Sequence, residues 1–255
     1  MKPYFEDESV TIYHGDCREL LDEMPRVDLV LTDPPYGIGV SGKRNGQTSH
    51  RAIAPTYFND EWDMPIEQSL FDRVRTFAPK AIIWGGNYYQ TPRASGWLVW
   101  EKQLKPGNFA DCELAYTTLQ IAVRRFSYLW MGYWQEAGFR RQVRQHLTEK
   151  PIPLMKWCIS LAKDVTSIID PFMGGGTTLR AAKDLGVRAI GIEIEERYCE
   201  VAARRMAQQV LPFEPFPFEA AKKRPSLFHV ERGIANDGGS LEDICKTTQD
   251  RMTPS

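Results

Sequence analysis

Ser167-Ile168-Ile169-Asp170-Pro171-Phe172-Met173-Gly174-Gly175-Gly176-Thr177-Thr178 is the stretch that decides the fold. Its first four residues are a short apolar run ending in an acid, which is how a strand buried on both faces reads. Pro171 cannot donate to a ladder, and three glycines follow it, so the chain turns there with its backbone bare. Leu179 to Leu185 predicts a helix, and Ala189 to Ile192 a second strand that ends at Glu193. Strand, glycine turn, helix, strand and acid together have about the length of one nucleotide-binding βαβ half. The expected class is therefore α/β, a Rossmann-like, mostly parallel sheet flanked by helices, with ligands at the carboxyl ends of the strands.

The glycine turn is not the dinucleotide form, because the third glycine of G-x-G-x-x-G is replaced by Leu179. No lysine precedes Thr177, so the turn lacks the cation that a β/γ-phosphate cradle needs. A phosphate-free nucleoside such as S-adenosylmethionine fits better. Gly174 and Gly176 let the backbone approach its methionine portion, and Glu193 can accept from both ribose hydroxyls. Phe172 suits either packing or cofactor contact.

A second motif, Asp33-Pro34-Pro35-Tyr36, follows the apolar run Val27 to Leu31. Neither proline has an N–H, and each pushes the residue before it into an extended conformation. The run cannot satisfy its carbonyls by curling into a helix, so it stays a stiff acceptor cluster. The Asp33 carboxylate and the Pro34 carbonyl can take two N–H donors from one incoming group, with the Tyr36 ring as a flat face beside them. An amino group on a planar ring is the natural guest.

The two motifs together resemble the amino-methylating DNA methyltransferases, which methylate N6 of adenine or N4 of cytosine. The resemblance covers about residues 10 to 210. Their order, with the acceptor motif first and the glycine turn more than a hundred residues later, is that of the family's β group. His146-Leu147-Thr148-Glu149-Lys150-Pro151 resembles that group's His-x-Thr-x-Lys-Pro element, and Gly15-Asp16 resembles its contact to the cofactor adenine. The resemblance implies a methyltransferase fold, catalysis at Asp33, Pro34, Pro35 and Tyr36, and cofactor binding by Asp16, Lys150, Asp170, Phe172, Gly174, Gly176, Thr177 and Glu193. Two of these have rival readings from the residues alone: Asp16 also suits a helix cap, and Lys150 a DNA phosphate or plain solvation. Aspartate at the first motif position is commoner among the family's adenine enzymes, so N6 of adenine is the expected target and N4 of cytosine the alternative. A catalytically silent DNA-binding or cofactor-sensing protein is the reading from another class.

Charge locates the nucleic acid. The formal net charge is -1, so any attraction to phosphate must be local. From residue 124 to 150 the bases Arg124, Arg125, Arg140, Arg141, Arg144 and Lys150 face only Glu136 and Glu149, and Lys43, Arg44 and Arg51 stand in an acid-free stretch. Both stretches lie between the motifs, where the β group keeps its DNA-recognition segment. Lys43, Arg44, Arg124, Arg125, Arg140, Arg141 and Arg144 are the expected contacts to double-stranded DNA. A small recognition insertion, about residues 102 to 150, fits a short target or help from a second subunit in a homodimer.

The rest of the chain sets the frame. With 255 residues, 42% hydrophobic and 25% charged, it is long and apolar enough for a globular core. A methyltransferase domain is expected over residues 1–210, with a mobile loop at about 37–63, and an extended arm with a disordered tail over 211–255. Five scattered cysteines and four isolated histidines have no metal-ligand spacing, so no metal is expected. No apolar stretch reaches membrane-span length and the first nine residues are too polar for a signal peptide, so a cytoplasmic protein is expected. A C5-cytosine mechanism is disfavoured because no cysteine follows a proline. Restriction–modification, regulation and self-protection of mobile DNA stay equally open.

Overall fold

Short apolar runs along this chain become the neighbours of one sheet. The computed structural model describes residues 1–37, 64–103, 110–131, 134–135 and 149–208. In chain order its elements are β1 (Phe5–Glu6), β2 (Val10–His14), α1 (Cys17–Leu20), β3 (Leu29–Thr32), α2 (Gln68–Thr76), β4 (Lys80–Trp84), β5 (Trp97–Glu101) and β6 (Cys112–Thr117). There follow β7 (Arg124–Ser127), β8 (Trp130–Met131), β9 (Trp134–Gln135), α3 (Ile152–Leu161), β10 (Ser167–Asp170), α4 (Thr177–Asp184), β11 (Arg188–Glu193) and α5 (Glu196–Ala207). The main sheet runs β1-β2-β11-β10-β3-β4-β6-β5-β7, and β8 pairs with β9 as a separate hairpin. From β2 to β4 every neighbour is parallel, whereas β1 and β6 join their neighbours antiparallel and β7 adds parallel to β5.

Side-chain alternation explains the layers. In β3, Leu29 and Leu31 pack with Ile168 and with Leu154, Met155, Leu179 and Ala202 of α3, α4 and α5. Val30 points the other way, to Ile83, Ile169 and to Leu70, Phe71 and Val74 of α2. All four residues of β3 are buried, which is why the strand reads as a continuous apolar run.

From β3 the chain moves to β4 on one side, and from β10 to β11 on the other. That divergence makes the carboxyl ends of β3 and β10 a topological switch point, the place where open α/β sheets bind ligands.

Helix α1 ends at Leu20, and a tight turn occupies Leu21–Glu23. Pro25 holds Met24 extended at ψ 145°, so the α-helix cannot run through it. Strand β7 is not among the expected elements. Arg124 and Arg125 of the basic stretch sit on it, in register with Leu98 and Val99 of β5. Thus part of the expected recognition insertion, residues 112–117 and 124–127, belongs to the main sheet.

Residues 38–63, which include Lys43, Arg44 and Arg51, lie outside the described residues, as do Arg140, Arg141, Arg144, His146 and Thr148. So does the arm from residue 209 onward. No described helix is long and apolar enough to cross a membrane, and no described group of His, Cys, Asp or Glu could hold a metal ion.

Candidate active site

The two motifs end adjacent strands. Buried Thr32, the last residue of β3, donates its hydroxyl to Asp170 Oδ1 of β10 at 2.6 Å. Asp170 also accepts from the Phe172 N–H at 3.1 Å and is only 2% exposed. Burial pushes its carboxyl up to about 6, against the pull of the Thr32 and Thr178 hydroxyls. It faces inward under the glycine turn and fixes that turn to β3.

Asp33, next along the chain, is met by internal donors. Its Oδ1 accepts from the Tyr36 hydroxyl and its Oδ2 from Lys150 Nζ. Lys150, 5% exposed, also lies 3.0 Å from the Tyr36 oxygen and 3.1 Å from Glu113 Oε2. Lys102 closes the row at 2.6 Å from Glu113 Oε1. Base, acid, base and acid thus run inward from the β5–β6 edge to the Asp33 turn.

Burial pushes the Asp33 carboxyl up, and the Lys150 ammonium opposes it. For Lys150 burial works against the charge, but Asp33 and Glu113 outweigh it and hold the ammonium well above its usual range. Glu113 is half-buried, yet Lys150 and Lys102 draw it down to about 2. Burial and the Asp33 charge keep the Tyr36 hydroxyl protonated, so it remains a donor.

The Tyr36 ring is not an open face. It stacks on Tyr88 with centroids 5.1 Å apart and planes 12° from parallel. A Cβ on Gly85 would run into the same ring, so only glycine fits beneath it. Tyr88 is 54% exposed and is the aromatic surface turned outward. Tyr89 stacks on Phe71 and gives its hydroxyl to the Pro35 carbonyl, bracing the turn.

On the cofactor side, Glu193 Oε2 accepts the Gly174 N–H at 2.9 Å and Oε1 the Glu195 N–H at 2.9 Å. Burial raises its carboxyl despite these bonds. Gly174 has φ +50°, and a Cβ placed on it would meet nothing within 4 Å, so that flank is open. Gly176, at φ +78°, is different: a Cβ there would meet Ala202 of α5 at 2.8 Å. Asp16 sits beside Glu193, since Gly15 N–H donates to the Glu193 carbonyl at 2.9 Å. It caps α1 through the Arg18 N–H at 2.8 Å and pairs with the Arg18 guanidinium. Phe172 is half-buried against the α2-side core. The Thr177 hydroxyl lies 3.0 Å from Glu149 Oε1 and 3.1 Å from Arg205 Nη1, tying the turn to α5.

An open flank at Gly174 beside a buried acid suits a neutral ribose and an amino-acid portion, and S-adenosylmethionine fits these residues. Lys150, one of the expected cofactor residues, stands at Asp33 instead of at the glycine turn. Glu113 and Lys102 are not among the expected site residues. The signal for Glu113 is an acid inside the otherwise apolar strand Cys112–Thr117.

The N6/N4 methyltransferase family model, described as DNA methylase, matches residues 102–204. The type II methyltransferase M.HinfI of Haemophilus influenzae is 28% identical over 310 residues, covering 98% of this chain and 85% of the relative. The chain is similar to the amino-methylating DNA methyltransferases. The type II methyltransferase M2.MboI of Moraxella bovis is 27% identical over 258 residues, covering 80% of this chain and 91% of the relative. The PvuII DNA methyltransferase (cytosine-N4-specific) shares the fold, with a TM-score of 0.53 at 14% identity over 82% of this chain and 90% of that one.

Proposed function

We propose that this methyltransferase acts on the exocyclic amine of a base swung out of double-stranded DNA, N6 of adenine ahead of N4 of cytosine. One observation carries the reading: Thr32 and Asp170 clamp together the ends of β3 and β10, so Asp33 and the Gly174 turn share one crevice.

An exocyclic amine is a poor nucleophile because its lone pair is delocalised into the ring. Asp33 and the Pro34 carbonyl accept its two hydrogens and draw the nitrogen towards a tetrahedral shape, which frees the lone pair. S-adenosylmethionine, when bound, supplies the electrophilic methyl group. Gly174, Glu193, Phe172 and Asp16 are the residues that would hold it. Asp33 faces the positive charge that grows on nitrogen and is the carboxylate within reach of the proton released there. Preorganised charge and placement of the two reactants supply the acceleration. A paired base cannot enter such a crevice, so it must leave the stack, and the exposed Tyr88 ring offers a surface for it. The aspartate at the first motif position favours adenine.

The test is transfer of labelled methyl from S-adenosylmethionine to unmethylated duplex DNA, followed by mass spectrometry of the nucleosides. N6-methyladenine is expected. Asp33→Ala should lose about 10²-fold or more of the activity while cofactor binding is kept. Undiminished labelling in that variant would overturn the catalytic role of Asp33, and N4-methylcytosine would overturn the choice of base.

A further inference from the structure

Asp33 must offer its oxygens to an incoming amine, yet one of them is held by a lysine of its own chain. Lys150 Nζ donates to Asp33 Oδ2 from a position 5% exposed. An ammonium presents the same kind of N–H donor as an amino group on a base, so the two compete for one acceptor. The second observation lies at Glu113. Its Oε2 is buried without a hydrogen bond, although Lys150 Nζ is only 3.1 Å away. Glu113 is already an ion-pair partner of that ammonium. Here it is a second seat for the same ammonium.

Resting on the function proposed above, we propose that Lys150 is a positioning residue anchored by Glu113: its ammonium holds the Asp33 oxygen that the base amine must take, and withdraws to Glu113 when that amine arrives. A lysine suits this role because its three donors rotate freely between two carboxylates, as a planar guanidinium cannot. The row of Asp33, Lys150, Glu113 and Lys102 keeps its alternating charges through the exchange, and no backbone movement is needed.

The groups around Asp33 make the cation necessary. Tyr36 comes from its own turn, Lys150 from the segment before α3, Glu113 from β6, Asp170 from β10 and Tyr89 from the turn after β4, with Lys102 behind Glu113. Among these described groups, Lys150 is the cation that touches Asp33. Without it, burial and the neighbouring carboxylates favour a protonated Asp33, which donates where it should accept.

The experiment is a ¹³C-carboxyl NMR titration of Asp33, identified by its loss in Asp33→Asn, in the parent protein, Lys150→Met and Glu113→Gln. KM values for duplex DNA and for S-adenosylmethionine are measured alongside. Lys150→Met should raise the Asp33 midpoint by about one pH unit or more, and Glu113→Gln should lower it. Glu113→Gln weakens the second seat, so KM for DNA should rise about tenfold with KM for the cofactor unchanged. If Lys150→Met leaves Asp33 where it was and raises only the cofactor KM, Lys150 is a cofactor ligand and the proposal is wrong. Should Lys150→Met not fold, Glu113→Gln decides, and an Asp33 midpoint that stays or rises overturns the idea. A parent protein inactive on DNA would sink the proposed function, while the titration would still report on Lys150.

Discussion

Gly174 and Gly176 are two residues apart in one turn, and both hold positive φ, but a methyl group on each meets different surroundings. An alanine at either position costs about 1 kcal/mol for its left-handed backbone. At Gly176 the added carbon also strikes Ala202, which adds roughly 1–3 kcal/mol of overpacking, so Gly176→Ala should lower Tm well below Gly174→Ala. Gly174→Ala should instead raise the KM for cofactor, because its methyl enters the open flank beside Glu193. Equal Tm losses with unchanged cofactor KM would contradict this division. The turn residues were legible in the sequence because their chemistry is local: prolines fix Asp33, and glycines mark the backbone approach. Lys150 was legible as a site residue but not as the partner of Asp33, since 117 positions separate them. Glu113 stands out only as an acid in an otherwise apolar strand, and nothing in Cys112–Thr117 says which strand end or neighbour it will meet.

At the scale of elements, Asp28 sets the entry to the central strands. Its Oδ2 accepts from Thr166 N–H at 2.8 Å, Thr166 Oγ1 at 2.9 Å, and Ser167 N–H and Oγ at 3.0 Å, pinning the start of β10 beside β3. These donors draw its carboxyl down to about 2. A folded value below the unfolded one means the contribution is present above about pH 4 and is lost as pH falls towards 2. Asp28→Ala should cost about 1 kcal/mol at neutral pH, discounted for partial exposure. The gap to the parent should close on acidification through that window, as followed by denaturant unfolding. A gap that does not change with pH would assign the loss to something other than the carboxylate. The strand at Ser167–Asp170, the helix from Leu179 and the strand at Ala189–Ile192 are predicted nearly in place, because burial on one or both faces writes a period into the residues. Strand β7 is not, since Arg-Arg-Phe-Ser is too short and too charged to show one; its pairing with β5 makes it a strand.

Across the whole molecule, the Glu149–Arg205 ion pair at 2.6 Å joins the segment that carries Lys150 to α5, and through Thr177 to the glycine turn. The Lys150 segment, the cofactor turn and the last described helix are thereby one assembly. With a net charge of -1, long-range attraction to DNA is weak, so binding should depend on local bases. Arg124→Ala should reduce the slope of log K against log salt by about 0.9, if that residue meets a phosphate. Arg125→Ala should reduce it less, because Glu101 stands 3.3 Å away. Fluorescence anisotropy of a labelled duplex across a salt series checks both, and unchanged slopes would take the DNA contact off β7. The sequence by itself determined the two turns, the class of fold and the cofactor chemistry, because each follows from backbone restriction, glycine spacing and apolar period within a few neighbouring residues. Only the tertiary structure decided that Lys150 sits on Asp33, that Glu113 waits beside it and that Tyr88 covers Tyr36. Those relations are set by which strand ends meet when the two faces of the sheet are buried, and no short stretch of chain contains that information.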